Sequence, residues 1–183
     1  MWLSTDFAEL RVVCYPDPVL REHCRPVLEF GPPLQALAER MLELMREGKG
    51  VGLAAPQVGL PIRLFVCNPT DDPVQDRICV NPQLTDLAGS VEADEGCLSL
   101  PEVTVPMRRA QSATLTACDA FGKRFCVAGV DLEARVWQHE NDHLEGRLIV
   151  DSMPTSAELA NRRILKQLGE EYRARKKKQV ARR

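Results

Sequence analysis

The pentapeptide His139-Glu140-Asn141-Asp142-His143 lies inside a helical pattern that runs from Asp131 to Gly146. Two histidines four residues apart on a helix project to the same side, so both imidazole rings can bind one metal ion. Glu140 follows the first histidine, where a carboxylate can take a proton from a water molecule and later return it. The sequence therefore predicts a metal-dependent hydrolytic site on this helix.

A catalytic metal site of this kind needs a third protein ligand and one open position. A metzincin would have a third histidine ten residues after His139, but Ile149 occupies that place, so this class is excluded. Glu158 is a candidate carboxylate ligand from a later helix, as in a thermolysin-like enzyme. Cys97 is a candidate soft ligand, because a metal ion deprotonates a thiol and binds it as an anion. From sequence position alone, a structural role for Cys97 is the better explanation.

Other segments of the chain carry their own structural signals. Apolar residues recur with helical spacing from Leu34 to Met45, and Gly48 is typical of the end of such a helix. The segment 48–57 is too rich in glycine and small residues for an ordinary helix or strand. Thr155 and Glu158 have the spacing of a capping box, which predicts the start of a C-terminal helix. Strands are predicted at 62–67 and 78–81, and a hairpin at 111–118 and 124–128.

These elements predict an α+β fold, in which short antiparallel strands pack around a central metal-binding helix and a C-terminal helix follows. The chain has 183 residues, of which 44% are apolar, and this is enough for one hydrophobic core. We expect a single catalytic domain at 1–152, followed by a C-terminal helix and basic tail at 153–183.

Composition excludes several classes of protein. No apolar run approaches the roughly 18 residues that a membrane-spanning helix needs. The segment from Met1 to Leu10 has no basic residue ahead of an apolar stretch, so we expect no signal peptide and a cytoplasmic location. The seven cysteines are an odd number and form no C-x-x-C motif, which predicts free thiols rather than a disulfide framework.

The charge is distributed unevenly along the chain. The formal net charge is -2, yet the segment from Arg162 to Arg183 contains ten Lys or Arg residues and only two Glu residues. A basic tail on an acidic body indicates contact with nucleic acid or another anionic surface. A solvated helix end is an equally good explanation of the same charges.

Three segments together resemble the peptide deformylase family closely. They occur in that family's order and spacing, and a weaker similarity extends from about Pro16 to Asp151. The three segments are Gly50-Val51-Gly52-Leu53-Ala54-Ala55-Pro56-Gln57, Glu95-Gly96-Cys97-Leu98-Ser99 and Gln138-His139-Glu140-Asn141-Asp142-His143-Leu144. The resemblance implies an enzyme that removes the formyl group from the N-terminal methionine of nascent polypeptides and releases formate.

The resemblance also implies a role for individual residues. Cys97, His139 and His143 would bind the metal ion, and Glu140 would be the general acid and base. The Gln57 side-chain amide and the Leu98 backbone N–H would stabilise the oxyanion, and the backbone around Val51, Gly52 and Gly96 would pair with the extended substrate. We expect the side chains of Val51, Leu132 and Val136 to form the apolar slot for methionine, although core packing explains the last two nearly as well.

The donor set does not determine the metal ion. One thiolate and two imidazoles suit Fe²⁺, Zn²⁺, Ni²⁺ and Co²⁺. The family uses Fe²⁺ in the cell, so the resemblance alone places Fe²⁺ first. Relatives also associate with the ribosome, which makes the ribosome a candidate partner for the basic tail.

One departure from the family pattern and two alternative functions remain open. The family usually has an apolar or aromatic residue at the position of Asn141, where a polar side chain can alter packing behind the helix. The first alternative is a metalloendopeptidase with Glu158 as the third ligand. The second is a structural zinc-binding module whose fourth ligand is Cys126 or His23. Asp142 could orient a neighbouring group or be a solvated helix residue.

Overall fold

The computed structural model describes residues 6–70 and 72–180, which form one mixed fold of helices and antiparallel strands. Residues 1–5, part of the segment used to exclude a signal peptide, and residues 181–183 of the basic tail lie outside this range. The helices are α1 (Pro32–Glu47), α2 (Asp131–Leu144) and α3 (Thr155–Val180). The strands are β1 (Gly52–Ala54), β2 (Leu64–Cys67), β3 (Arg77–Ala88), β4 (Val91–Cys97), β5 (Leu100–Arg109), β6 (Ser112–Cys118) and β7 (Arg124–Val130).

Five of the strands form one antiparallel sheet in the order β1-β2-β3-β6-β7. Helix α2 packs across this sheet, because its apolar residues recur on one face and are buried against the strands. Trp137 is fully buried at this contact, and Gly129 of β7 leaves the room that its ring needs. Helix α1 packs on β1 and β2 through a second cluster that includes Leu37 and Met41.

The remaining two strands, β4 and β5, form a separate antiparallel hairpin with Cys97 opposite Leu100 at its tip. Residues of β5 and α3 share a third apolar cluster, in which Val103 and Leu168 are both buried. The Asn161 side chain of α3 donates hydrogen bonds to the Thr104 carbonyl at 3.0 Å and to the Ala157 carbonyl at 2.9 Å. The first half of the C-terminal helix is therefore packed against the hairpin that carries Cys97.

The structure confirms the predicted α+β fold and the three helices. The predicted hairpin is β6 and β7, and the predicted strands at 62–67 and 78–81 correspond to β2 and part of β3. The expectation that 48–57 contains no ordinary strand is wrong in part, since Gly52–Ala54 pairs with β2 before a short 3₁₀ turn begins at Ala55. The β4–β5 hairpin was not predicted, because β4 is rich in charged residues and lacks a clear apolar alternation.

Two further expectations concern absences. All seven cysteines are free thiols in the structure. Within the described parts of the chain, every helix is too short or too polar to cross a bilayer.

Candidate metal centre and active site

Cys97, His139 and His143 come together at the end of the β4–β5 hairpin. Helix α2 supplies the two histidines, four residues apart, and the last residue of β4 supplies the thiol. The candidate ligand atoms all lie within 4.8 Å of one another, and Cys97 Sγ is 3.3 Å from His143 Nε2. The imidazole rings are 5.0 Å apart between centroids and inclined by 76°. One sulfur and two ring nitrogens at these separations suit a divalent transition-metal ion.

Glu140 lies beside this candidate metal-binding cluster with its carboxyl group almost completely buried. Among the described residues, no hydrogen-bond donor contacts Glu140 Oε2, so this buried oxygen is available to a bound molecule. Burial raises the pKa of Glu140 to about 7. A carboxyl group with a pKa near neutral can both accept and return a proton.

Gly52 makes room for Glu140. A Cβ atom at position 52 would lie 2.3 Å from Glu140 Oε1 and 2.7 Å from Glu140 Cδ, which is closer than any real contact. Gly50 has a similar relation to Leu98, because a Cβ atom there would lie 2.8 Å from Leu98 Cδ1. These two glycines therefore allow the chain to pass close to Glu140 and Leu98, and neither has the positive φ of a turn glycine.

The Gln57 side chain is held so that its amide nitrogen faces the cluster. Gln57 Oε1 accepts a hydrogen bond from the Ala54 backbone N–H at 2.8 Å, which fixes the orientation of the amide group. Gln57 Nε2 lies 3.4 Å from Cys97 Sγ and 3.2 Å from Ser99 Oγ. The amide therefore closes the turn that follows β1 and also points a donor toward the site.

A network of charges behind His139 was not predicted. Glu95 Oε2 lies 3.1 Å from His139 Nδ1, and Arg109 donates two hydrogen bonds to Glu95 at 3.1 and 2.9 Å. Burial alone would raise the pKa of Glu95, but the hydrogen bonds from His139 and Arg109 outweigh it and lower the pKa to about 2. An ionised carboxylate at this position fixes the ring orientation of a metal-binding histidine.

Asp142 continues this network on the same helix. Arg109 donates to Asp142 Oδ2 at 2.5 Å, and Arg147 Nη2 lies 2.9 Å from Asp142 Oδ1. The question that the sequence left open is therefore answered, because Asp142 positions Arg109. Glu95 could have been recognised from its place two residues before Cys97 on one strand, whereas Arg109 has no local signal because it reaches Glu95 across the hairpin.

A cavity of about 370 Å³ opens beside the cluster. Its wall includes the three residues predicted to hold methionine, Val51, Leu132 and Val136. The predicted substrate-pairing segments around Gly52 and Gly96 also line it, as do Gln57, Cys97, Leu98, His139 and Glu140. His143 completes the cluster from a more buried position.

The ligands required by the alternative functions lie elsewhere. His23 is exposed and pairs with Glu145 at 3.1 Å, while Glu158 is exposed on α3 and Cys126 is exposed on β7. Within the described residues, the group that could hold a metal ion consists of Cys97 and the two histidines of α2. Asn141 lines a different cavity together with Asp142, and the ligands remain together despite this departure from the family pattern.

Comparisons with known proteins agree with this geometry. A family model described as polypeptide deformylase matches residues 9–158. The peptide deformylase of Acidobacterium capsulatum is 41% identical over 141 residues, which cover 76% of this chain and 83% of the relative. Peptide deformylase 1B of Arabidopsis thaliana, described as chloroplastic/mitochondrial, is 41% identical over 147 residues, or 79% of this chain and 54% of the relative.

Solved structures give the same result. A crystal structure of Arabidopsis thaliana peptide deformylase 1B with an inhibitor superimposes with a TM-score of 0.85 at 37% identity, covering 91% of this chain and 93% of that one. The crystal structure of the Thermus thermophilus peptide deformylase gives 0.82 at 39% identity, covering 88% of this chain and 98% of that one.

The matches support the main functional prediction and neither of its alternatives, the metalloendopeptidase and the structural zinc-binding module. The family match at 9–158 extends over α1, α2, both sheets and the cluster of Cys97, His139 and His143, and it includes only the first turn of α3. The chain therefore belongs to the peptide deformylase family and is a metal-dependent deformylase.

Proposed function

We propose that this enzyme removes the formyl group from the N-terminal methionine of nascent polypeptides and releases formate. The observation that carries the proposal is the convergence of a thiol, an imidazole, a buried carboxyl group and an oriented amide donor on one cavity, with the second imidazole of the cluster buried beside them. Hydrolysis of an amide bond needs an activated water, a stabilised oxyanion and a proton for the leaving amine. Each of these needs is met by a residue of this cavity.

Cys97, His139 and His143 are the proposed ligands of one divalent cation. Fe²⁺ is our first choice for the cell, and Zn²⁺, Ni²⁺ or Co²⁺ suit the same ligands in isolated protein. Such a cation supplies Lewis-acid polarisation and lowers the pKa of water. Glu95, with Arg109 behind it, holds His139 in a fixed orientation through the 3.1 Å contact with Nδ1.

Glu140 is the proposed general base and general acid. Its buried carboxylate takes the proton of the attacking water, and it returns that proton to the amine when the amide bond breaks. The side chain is 3% exposed, and its Oε2 atom has no donor among the described residues, so this oxygen can accept the proton of a water molecule bound in the cavity. The room that Gly52 leaves is needed for this placement.

Gln57 Nε2 and the Leu98 backbone N–H are the proposed donors to the oxyanion. An amide cannot titrate near neutral pH, so it stabilises negative charge without exchanging protons. Because the Ala54 N–H already occupies Gln57 Oε1, the amide is oriented before substrate binds. This preorganisation avoids a cost of reorientation during the reaction.

The substrate is proposed to bind as an extended strand along the backbone of Val51, Gly52 and Gly96. Main-chain hydrogen bonds supply affinity for any sequence in this mode of binding, and a side-chain pocket supplies selectivity. The side chains of Val51, Leu132 and Val136 are the proposed wall for methionine. A formyl carbon carries only hydrogen, so a tight site can admit it and reject larger acyl groups.

The experiment that tests this function measures formate release from a short formyl-methionyl peptide. The native enzyme should turn over this peptide and leave an acetyl-methionyl peptide intact. Glu140→Gln should bind as much metal as the native protein but lose at least a hundredfold in kcat, within the range that general acid–base catalysis contributes. Equal turnover by Glu140→Gln would contradict the proposed role.

The chain is proposed to consist of a catalytic domain at 1–152 and a C-terminal helix with a basic tail at 153–183. The basic end of this helix is proposed to contact the ribosome. Tyr172 lies under Arg175 and Lys176 at 5.7 and 5.6 Å, and the last described turns carry further basic residues. Action on nascent chains also supports the prediction of a cytoplasmic location. Deletion of the residues after Arg173 should weaken ribosome binding most at low salt while peptide turnover stays unchanged. Equal binding by the deleted and native chains would contradict this proposal.

A further inference from the structure

Arg135 is a charged residue in the wall of a cavity proposed to hold methionine. It lies one helical turn before His139 on α2 and lines the same cavity. Its Nη2 atom donates to the Asp94 backbone carbonyl of β4 at 3.1 Å and lies 3.6 Å from Glu95 Oε1. The Arg135 Nε atom is buried without a partner in the described structure. An unpaired buried donor destabilises the folded protein, and the contacts of Nη2 with Asp94 and Glu95 offset this cost. These contacts hold the guanidinium against β4.

The carbonyl that Arg135 contacts belongs to the free edge of β4. In the described residues, β4 pairs with β5 alone, and Asp94 is opposite Pro106. Opposite residues of antiparallel strands alternate between pairs that exchange two hydrogen bonds and pairs that exchange none. Pro106 has no N–H, so Asp94 and Pro106 form a pair of the second kind. The N–H and C=O groups of Asp94 therefore point away from β5, toward the edge that faces the cavity.

Gly96 belongs to the same edge. Gly96 lies two residues after Asp94, where the register between β4 and β5 shifts, and both residues line the cavity. A peptide that pairs with Gly96 and runs away from Cys97 would reach the Asp94 carbonyl two peptide residues later. A backbone N–H of the peptide could then donate to this carbonyl. Arg135 already occupies that carbonyl.

We propose that Arg135 closes the peptide-binding edge of β4 after Gly96 and so sets how many substrate residues the enzyme recognises. Arg135 is thus a specificity-determining residue, and this role rests on the strand-like substrate binding proposed above. The enzyme forms backbone hydrogen bonds with the first residues of a substrate chain and forms none along β4 with the residues that follow. Such a limit suits an enzyme that must accept many different nascent chains.

The test compares native enzyme and Arg135→Met on uncharged formyl-methionyl peptide amides of one to six residues. For the native enzyme, kcat/KM should rise with length and then reach a plateau. For Arg135→Met, the plateau should come two residues later, with a further gain of about fivefold from one added backbone hydrogen bond. A plateau at the same length in both proteins would overturn the proposal.

Arg108→Met is the matched control, because it removes one arginine of the neighbouring strand without a contact to Asp94. Arg108 is exposed and pairs with Glu92 of β4 at 3.1 Å. Its length profile should equal that of the native enzyme. Metal content is measured for all three proteins, so that loss of metal is not mistaken for a change of recognition.

A second measurement uses only the native enzyme and decides the matter if Arg135→Met does not fold. The substrate is a six-residue formyl-methionyl peptide in which one backbone amide is replaced by an ester, which removes one N–H. The replaced amide lies two residues after the peptide length at which kcat/KM of the native enzyme stops rising. The native enzyme should hydrolyse the ester-containing and all-amide peptides equally well, and a fivefold loss would overturn the proposal. If no formyl peptide is hydrolysed at all, the proposed function fails instead, so the two failures are distinguishable.

Discussion

Glu140 keeps its position because the residue beside it has no side chain. The carboxyl group fills the space that a Cβ atom of Gly52 would occupy, and it is screened from water there. Gln57 shows the same dependence on a neighbour, since the Ala54 N–H determines which end of its amide faces Cys97. At this scale the chemistry of the site depends on small backbone features as much as on the catalytic groups.

Gly52→Ala tests the first of these relations. The added methyl group must displace the Glu140 carboxyl group, because the contact of 2.3 Å cannot persist. We expect kcat on a formyl-methionyl peptide to fall about a hundredfold, the loss that a displacement near 1 Å can cause. The metal content should stay that of the native protein, since none of the three proposed ligands is touched. An unchanged kcat would show that Glu140 does not need this space.

Helix α2 links the site to the fold. One face carries His139 and His143, and another buries Trp137 against the large sheet. The β4–β5 hairpin then brings Cys97 to the helix, with Glu95 and Arg109 joining the two elements through buried charges. The geometry of the metal-binding cluster therefore depends on how these two elements pack.

Gly129→Ala tests the packing of α2 on the sheet. A Cβ atom at this position of β7 would lie 2.4 Å from Trp137 Cη2, and the fully buried ring cannot move into solvent. We expect the free energy of unfolding, measured with urea, to fall by roughly 2 kcal/mol. Gly169→Ala in α3 is the control, because its nearest neighbour is the flexible end of Arg173 at 3.7 Å and alanine favours a helix. Equal stability of native and Gly129→Ala proteins would contradict this packing.

Asp151→Asn tests a contact between two short 3₁₀ segments, Pro18–Arg21 and Ile149–Ser152. Asp151 accepts hydrogen bonds from Arg21 at 2.5 Å and from the Leu148 N–H at 2.9 Å. Burial alone would raise the pKa of Asp151, but these hydrogen bonds outweigh it and lower the pKa. A lowered folded-state pKa stabilises the protein above the unfolded-state pKa, and this stabilisation is lost as the pH falls through the folded-state pKa.

Asp151→Asn should therefore lower the free energy of unfolding at pH 7 by roughly 0.5 to 1 kcal/mol, because solvent screens this half-exposed pair. Urea denaturation at pH 7 and at pH 3 measures the difference, which should shrink at the lower pH. Glu29→Gln, at an exposed position outside the helices and strands, is the control. A difference that is the same at both pH values would contradict the ionic contribution.

At the scale of the whole molecule, an acidic body carries a basic helix end. The net charge is -2, while the segment from Arg162 to Arg183 is strongly positive. The part of α3 nearest the body packs on β5 through Leu168 and Asn161, and the basic residues concentrate toward its far end. Arg175 of this basic end still lies 3.9 Å from Asp17 of the body.

The sequence predicted those parts of the fold that have a local signal. The apolar period of α1, the His139–His143 spacing on α2 and the β6–β7 hairpin are all properties of short segments. The role of Cys97 could not be predicted from its own neighbours, because its relation to the histidines depends on a hairpin whose strand β4 is largely charged. The three motifs that resemble the family supplied that link.

The charges that support the site were beyond sequence reasoning for a related reason. Arg109 of β5 reaches Glu95 of the neighbouring strand β4, and Arg135 reaches Asp94 from a helix about 40 residues away in the chain. Neither arginine differs from a surface arginine in its local pattern. Only the packing of α2 against the hairpin shows which arginines are buried and which carboxylate or carbonyl each one contacts.

Cys97, with His139 and His143, is proposed to hold a single catalytic metal ion. The most direct test is the metal content of anaerobically purified native protein, Cys97→Ala and Cys126→Ala, with formate release measured on the same samples. We expect one metal ion per chain and turnover in the native protein and in Cys126→Ala, whose cysteine is exposed on β7. Cys97→Ala should lose both, whereas one bound metal ion per chain in Cys97→Ala would contradict the account.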